Sequence, residues 1–188
     1  MSQVVLASQS PRRRELLRLI FDSFLVVPSQ VDESTIPFSS PQEYVTTLAL
    51  AKARDVKCNF PPDTLVIGAD TIVVCDGHIL EKPRDEKDAF SMLSRLAGRE
   101  HQVFTGVALC KNGRDYAEYS MTTVRFRRLS PDEIWTYIRT GEPMDKAGAY
   151  GIQEKGALLV EGICGDYFTV VGLPLCRLAQ MLELLHAD

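Results

Sequence analysis

VVLASQSPRRRELLRLI, residues 4–20, is the stretch whose reading decides the fold. Its apolar start reads as a short strand that runs straight into a helix, with Ser10 as N-cap. Pro11 takes the first helical position, where a missing N–H costs nothing. A helix start is the positive end of the backbone dipole, so carboxylates belong in its first turn. Arg12, Arg13 and Arg14 stand there instead, and such a concentration of cations needs a reason.

Working outward, the chain keeps alternating between strand and helix signals. FLVVP, from Phe24, is a second apolar run, followed by the polar loop SQVDESTIPFSS. Ser40, Pro41 and Glu43 form a capping-box pattern that opens a helix with Tyr44, Leu48 and Lys52 on adjacent turns. LVIGADTIVV reads as a strand that turns at Asp76-Gly77, a hairpin signal, into HIL. A helix is expected from about Asp85 to Leu96, ended by Gly98. HQVFTGVALC and the run from Tyr116 to Leu129 read as long strands joined at Asn112-Gly113. Ser130, Pro131 and Glu133 repeat the capping box before a helix that stops at Gly141. A glycine-rich loop, EPMDKAGAYGIQEKG, then leads to two short strand-like runs. After Pro174 a terminal helix carries Leu178, Met181, Leu182 and Leu185 at helical spacing. Interleaved strands and helices around one long central hairpin predict an α/β fold with a mixed sheet. With no repeat, low-complexity tract or linker, residues 1–188 are read as one domain.

Composition narrows the function classes. The hydrophobic fraction is 45% and the charged fraction 24%, as in an ordinary globular protein. A net charge of −4 argues against broad nucleic-acid or membrane-surface binding, so an anionic ligand would need a local cluster of cations. Cys58, Cys75, Cys110, Cys164 and Cys176 form no CxxC pair, and their odd number suits a reducing compartment. With three histidines in the chain, zinc-ligand spacing is absent. No apolar run approaches the roughly 18 residues of a membrane span. The first residues lack a signal-peptide pattern, and a cytoplasmic location is expected.

Three places could carry chemistry. The turn ASQSPRRR joins helix-start N–H groups to forked arginine donors that match phosphate oxygens. Its alternative is a solvated surface in which the arginines pair with Glu15 or other carboxylates. It lacks the glycines and the GK[ST] ending of a Walker A loop. GADT closes the apolar run Val66–Asp70, and a carboxylate beyond a strand end can hold a metal or accept a proton. Lys52, Lys82 and Glu33 are unremarkable alone. DKAGAYG, residues 145–151, offers small residues that let backbone approach a ligand, or else a long ordered turn. Together these parts make a phosphate site: cations for a polyphosphate, carboxylates for a divalent metal, and one carboxylate able to activate water.

At this point LASQSPRRRELL, SQVDES, VIGADTIV, LEKPRD, EPMDKAGAYGIQ and GDYFTVVGLPL together resemble the Maf family, in the family's order and from residue 6 to about 175. These nucleotide pyrophosphatases are historically linked with inhibition of septum formation. The resemblance implies an elongated, twisted mixed sheet flanked by helices, with a central cleft, as in inosine triphosphatases. It also implies hydrolysis of nucleoside triphosphates to the monophosphate and pyrophosphate with Mg²⁺ or Mn²⁺. Carried onto this sequence, Asp70 is the base that activates water and Glu33 its companion acid, and both are metal ligands. Lys82 joins these two in the catalytic group and also serves as a phosphate-binding cation. Arg12, Arg13 and Lys52 complete the phosphate-binding cations, with Ser8 and Ser10 in the loop. Arg12, Thr71 and Gln153 match the branch that acts on dTTP and UTP, which leaves CTP and modified pyrimidine nucleotides as further substrates. The Gln153 amide offers the donor and acceptor that a uracil or thymine edge can use. Arg14 is read as a surface residue. The resemblance also makes a homodimer plausible. The competing readings are a non-catalytic nucleotide-binding regulator of division and a purine-directed pyrophosphatase.

Overall fold

In the computed structural model, which describes residues 3–187, the opening segment forms β1 (Val4–Ala7) and α1 (Pro11–Leu17). The Ser10 hydroxyl accepts from Arg13 N at 3.4 Å, and no acidic residue occupies the first turn. The remaining elements are β2 (Leu25–Val26), α2 (Pro41–Lys57), β3 (Leu65–Cys75), β4 (His78–Leu80), α3 (Glu86–Leu96), β5 (Glu100–Lys111), β6 (Arg114–Phe126), α4 (Pro131–Ile138), β7 (Val160–Cys164), α5 (Tyr167–Val171) and α6 (Leu175–Ala187).

The expected mixed α/β architecture is present. Among the described residues seven strands form one sheet in the order β2-β1-β3-β5-β6-β7, with β4 paired to β3. β1 runs parallel to β2 and β3, while the β3–β4 and β6–β7 pairs are antiparallel. Asp76-Gly77 and Asn112-Gly113 make the two hairpin turns, each with both residues at positive φ.

Several local expectations need correction. Of the two runs expected to be strand-like after the glycine-rich loop, VEGIC is β7, but YFTVV is the helix α5. Asp166 overrides the β-branched residues there: its carboxylate accepts from Thr169 N at 2.7 Å and Thr169 Oγ1 at 2.8 Å, holding a turn. The glycine-rich loop is a series of short 3₁₀ turns rather than open coil. FLVVP shortens to a two-residue strand, and the last long strand ends at Phe126 rather than Leu129. The capping box is reciprocal only at Ser130–Glu133. At Ser40 the hydroxyl accepts from Glu43 N at 3.3 Å, but the Glu43 carboxylate does not reach back to Ser40 N.

The chain divides into two compact units. The first takes the residues up to Asp70, Thr105–Ser120, and those from Gly172 onward. Its core sets Ala49, Ala53 and Val56 of α2 against Val5, Ala7, Val66, Ala108 and Cys110 of the sheet. The second takes Thr71–Phe104 and Met121–Val171. There Ala89, Leu93 and Leu96, at helical spacing on α3, pack with Ile134, Tyr137 and Ile138 of α4 and with Phe126 and Tyr150. Among the described residues no helix is long and apolar enough to cross a membrane.

Candidate active site

Glycine sets the geometry of the first unit's site. Val66, Gly68 and Asp70 alternate onto one face of β3. A Cβ on Gly68 would fall 2.2 Å from Ala49 O and 2.9 Å from Ala53 N, so only glycine allows α2 to lie this close. Gly106 on β5 does the same under Val45, whose carbonyl oxygen stands 2.2 Å from the place of a Cβ. Lys52 shares the helix face of Ala49, Ala53 and Val56, and is thereby lowered onto the same side of the sheet as Asp70.

LVIGADTIVV is one continuous strand, as read, so Asp70 lies inside β3, which runs to Cys75, and not beyond the end of the Val66–Asp70 run. The strand that ends is its neighbour. β1 stops at Ala7, paired with Gly68, so Asp70 lies just past the carboxyl end of β1, where the Ser8–Arg13 turn begins. Ligands of parallel sheets gather at such places.

Lys52 Nζ bonds Asp70 Oδ1 at 2.6 Å and Glu33 Oε1 at 2.8 Å, so the two carboxylates converge on one cationic point. Glu33 reaches it from a 3₁₀ turn, Glu33–Thr35, whose N-cap Asp32 accepts from Ser34 N. Asp70 is 7% exposed. Burial pushes its carboxyl above the ordinary range, Lys52 and then Arg13 pull it back, and Glu33 adds to the rise.

Arg13 is fixed by two of its guanidinium nitrogens: Nε donates to Gly172 O at 2.7 Å and Nη1 to Ser8 Oγ at 3.3 Å. Ser8 Oγ also accepts from Ser10 N at 3.2 Å, which knits the turn together. Burial lowers the Arg13 pKa, the Asp70 charge raises it, Arg12 lowers it and Glu33 raises it. Arg12 is half-buried beside it, while Arg14 is exposed, as expected of a surface residue. Ser8, Ser10, Arg12, Arg13, Glu33, Lys52 and Asp70 thus share the first unit.

The other expected site residues belong to the second unit. Thr71 follows Asp70 on β3 and is half-buried, and Lys82 is exposed in the loop between β4 and α3. Gln153, half-buried, precedes the 3₁₀ turn Glu154–Leu159. Three contributors were not singled out from the sequence: Gly172, through its carbonyl, and Gly68 and Gly106, through the space they leave. A glycine inside an apolar strand is the available signal, because it marks close backbone approach.

A divalent metal fits this donor set. Glu33 and Asp70 both reach Lys52 Nζ within 2.8 Å, so the two carboxylates converge, and a hard cation would bind beside the ammonium through their other oxygens. Among the described residues no group of three or more His, Cys, Asp or Glu could hold a metal ion by itself. A metal here would draw the rest of its shell from water and ligand oxygens, the manner typical of Mg²⁺.

The family model described as Maf-like protein matches residues 3–185. The "dTTP/UTP pyrophosphatase" of Symbiobacterium thermophilum is 53% identical over 97% of this chain and 93% of its own. The proteins given the same name in Moorella thermoacetica and Thermococcus onnurineus are each 52% identical. They cover 100% and 96% of this chain, and 97% of their own length in both cases. Among solved structures, the Ham1 protein of Staphylococcus aureus aligns over 66% of this chain and 72% of its own, with a TM-score of 0.49 and 14% identity.

Proposed function

The chain belongs to the Maf family, and from that premise we propose that it is a nucleoside triphosphate pyrophosphatase that converts dTTP and UTP to the monophosphate and pyrophosphate. The observation that carries the reading is the buried Asp70 carboxylate, held by Lys52 at 2.6 Å in the unit that also carries the arginine turn. The names of relatives about half identical over nearly the whole chain support the substrate class.

Asp70 is the general base. Burial favours its taking a proton from water, and Lys52 keeps it ionised beforehand. The water attacks the α-phosphorus, the α–β anhydride bond breaks, and pyrophosphate leaves with its charge balanced by Arg12, Arg13, Lys52 and Lys82. Arg13, locked by Gly172 and Ser8, is held in place beforehand and need not reorganise to face a phosphate. Glu33 and Asp70 would hold Mg²⁺ or Mn²⁺, which would supply charge neutralisation on the phosphates and lower the pKa of water. Arg12, Thr71 and Gln153 select the pyrimidine, and Ser8 and Ser10 line the phosphate turn. The protein works in the cytoplasm, and CTP and modified pyrimidine nucleotides belong in its test panel beside dTTP and UTP.

The test is a nucleotide panel scored for pyrophosphate, with and without EDTA and with Mg²⁺ or Mn²⁺ added back. Release of pyrophosphate from dTTP and UTP, lost with EDTA and absent in Asp70→Asn, is the expected result. Faster turnover of ITP than of dTTP and UTP would overturn the substrate assignment. Nucleotide binding without pyrophosphate release would overturn the enzyme reading.

A further inference from the structure

Within the second unit, one carboxylate organises the loop that carries Gln153. Glu142 opens a 3₁₀ turn, Glu142–Asp145, and its Oε1 accepts from Tyr137 Oη at 2.9 Å and from Gly156 N at 3.1 Å. Its Oε2 accepts from Lys155 N at 3.2 Å. Tyr137, 4% exposed on α4, in turn accepts from Gly151 N at 3.1 Å. The tied amides therefore belong to residues 151, 155 and 156, on both sides of Gln153.

The backbone between these ties is not one the chain would choose unaided. Glu154 has φ 51, a left-handed conformation costly for a residue with a Cβ. A Cβ at Gly156 would meet Gly151 O at 1.9 Å and the Tyr137 hydroxyl at 2.8 Å, so the loop closes only with glycine there. Lys146 Nζ donates to Glu142 O at 2.6 Å and to Asp145 Oδ1 at 2.8 Å, fixing the start of the loop as well. Hydrogen bonds to a carboxylate are roughly twice as strong as neutral ones, which suits a device that must hold a strained turn in one shape. An amide that reads a pyrimidine edge by donor and acceptor must be held in one orientation, since a small rotation misaligns both hydrogen bonds.

We propose that Tyr137 and Glu142 are positioning residues for pyrimidine selection, acting through Gln153 by clamping its loop at residues 151, 155 and 156. The inference rests on the selecting role given to Gln153 above. In this role both act through the loop backbone and need not touch the nucleotide. Their removal should therefore loosen substrate grip and choice more than it slows the chemical step.

The test compares Tyr137→Phe and Glu142→Gln with the parent protein on dTTP, UTP and ITP, after thermal melts have identified the folded variants. Tyr137→Phe deletes one hydroxyl and keeps the ring, so it decides the matter if Glu142→Gln does not fold. Loss of one to two hydrogen bonds at the clamp should raise KM for dTTP and UTP about tenfold, cut the preference over ITP by a similar factor, and lower kcat less than it raises KM. In a Gln153→Ala background the same substitutions should change that preference less than about twofold, because the residue they act through is gone. Folded variants with the parent's preference, or an equal loss in the Gln153→Ala background, would overturn the proposal. If Gln153→Ala alone keeps the preference, or the parent releases no pyrophosphate, the underlying reading fails and the proposal with it. Loss of preference in Gln153→Ala but not in the clamp variants overturns the clamp alone.

Discussion

Lys52 Nζ stands 2.6 Å from Asp70 Oδ1 and is the largest counterweight to the burial of that carboxylate. The two side chains are 14% and 10% exposed, so removing one partner strands a charge where water cannot compensate it. Such losses typically cost about 3–5 kcal/mol. Lys52→Met should therefore destabilise the fold by about 3 kcal/mol in urea unfolding, and adding Asp70→Asn should recover most of that. The other partner of Lys52, Glu33, is 55% exposed, and exposed pairs contribute about 0–1 kcal/mol. Glu33→Gln should thus leave stability nearly unchanged while reducing activity. A Lys52→Met/Asp70→Asn double variant no more stable than Lys52→Met would show that the pair is not coupled as described.

Gly68→Ala tests how α2 is seated. The added Cβ would lie 2.2 Å from Ala49 O, a backbone atom that yields only if the helix moves. Overpacking of this kind costs about 1–3 kcal/mol. Because Lys52 rides on α2, the same shift should disturb its contact with Asp70, so turnover should fall together with the melting temperature. An alanine variant with unchanged stability and turnover would mean that the helix seat does not set the site.

Much of this was legible in the residues. Ser10 with Pro11, Ser130 with Glu133, and the two Xaa-Gly hairpin turns are local chemistry, so their elements fall where the patterns put them. What was not legible depends on partners distant in sequence. Tyr167–Val171 has the composition of a strand, yet the carboxylate of Asp166 caps it as a helix. That Asp70 lies in a strand was readable, but that it stands just past the end of β1 depends on a pairing across the sheet. Nothing near Gly172 in sequence announces that its carbonyl holds an arginine 159 residues away.

Arg13→Lys should be far from conservative. The guanidinium donates to Gly172 O and Ser8 Oγ from two nitrogens, and an ammonium on a flexible stem cannot hold both while facing a phosphate. Loss of one charge-assisted hydrogen bond of this type costs about 1.5–3 kcal/mol. An increase of about tenfold or more in KM for dTTP is expected, with the fold intact by circular dichroism. If Arg13→Lys binds dTTP as the parent does, charge alone suffices at this position and the fork is incidental.

His101 gives the second unit a pH dependence that is independent of substrate. It is 3% exposed, its Nε2 lies 2.7 Å from Tyr150 Oη, and its ring meets Phe126 and Tyr150 edge-on. Its Nδ1 is buried with no hydrogen-bond partner among the described residues. Burial lowers its pKa from 6.5 to about 4, so the folded protein holds it neutral while the unfolded chain protonates it near 6.5. Between those values the unfolded state binds more protons, and stability must fall as pH falls. The contribution is complete above pH 6.5 and lost by about pH 4; for a shift of this size it amounts to about 3 kcal/mol. Unfolding free energy measured from pH 7 to pH 4 should therefore decline, and His101→Gln should decline less steeply over the same interval. The variant will start lower at pH 7, because an amide fills the aromatic cluster poorly, so the slope and not the starting value is the readout. Equal slopes for the two proteins would assign the acid sensitivity to other groups.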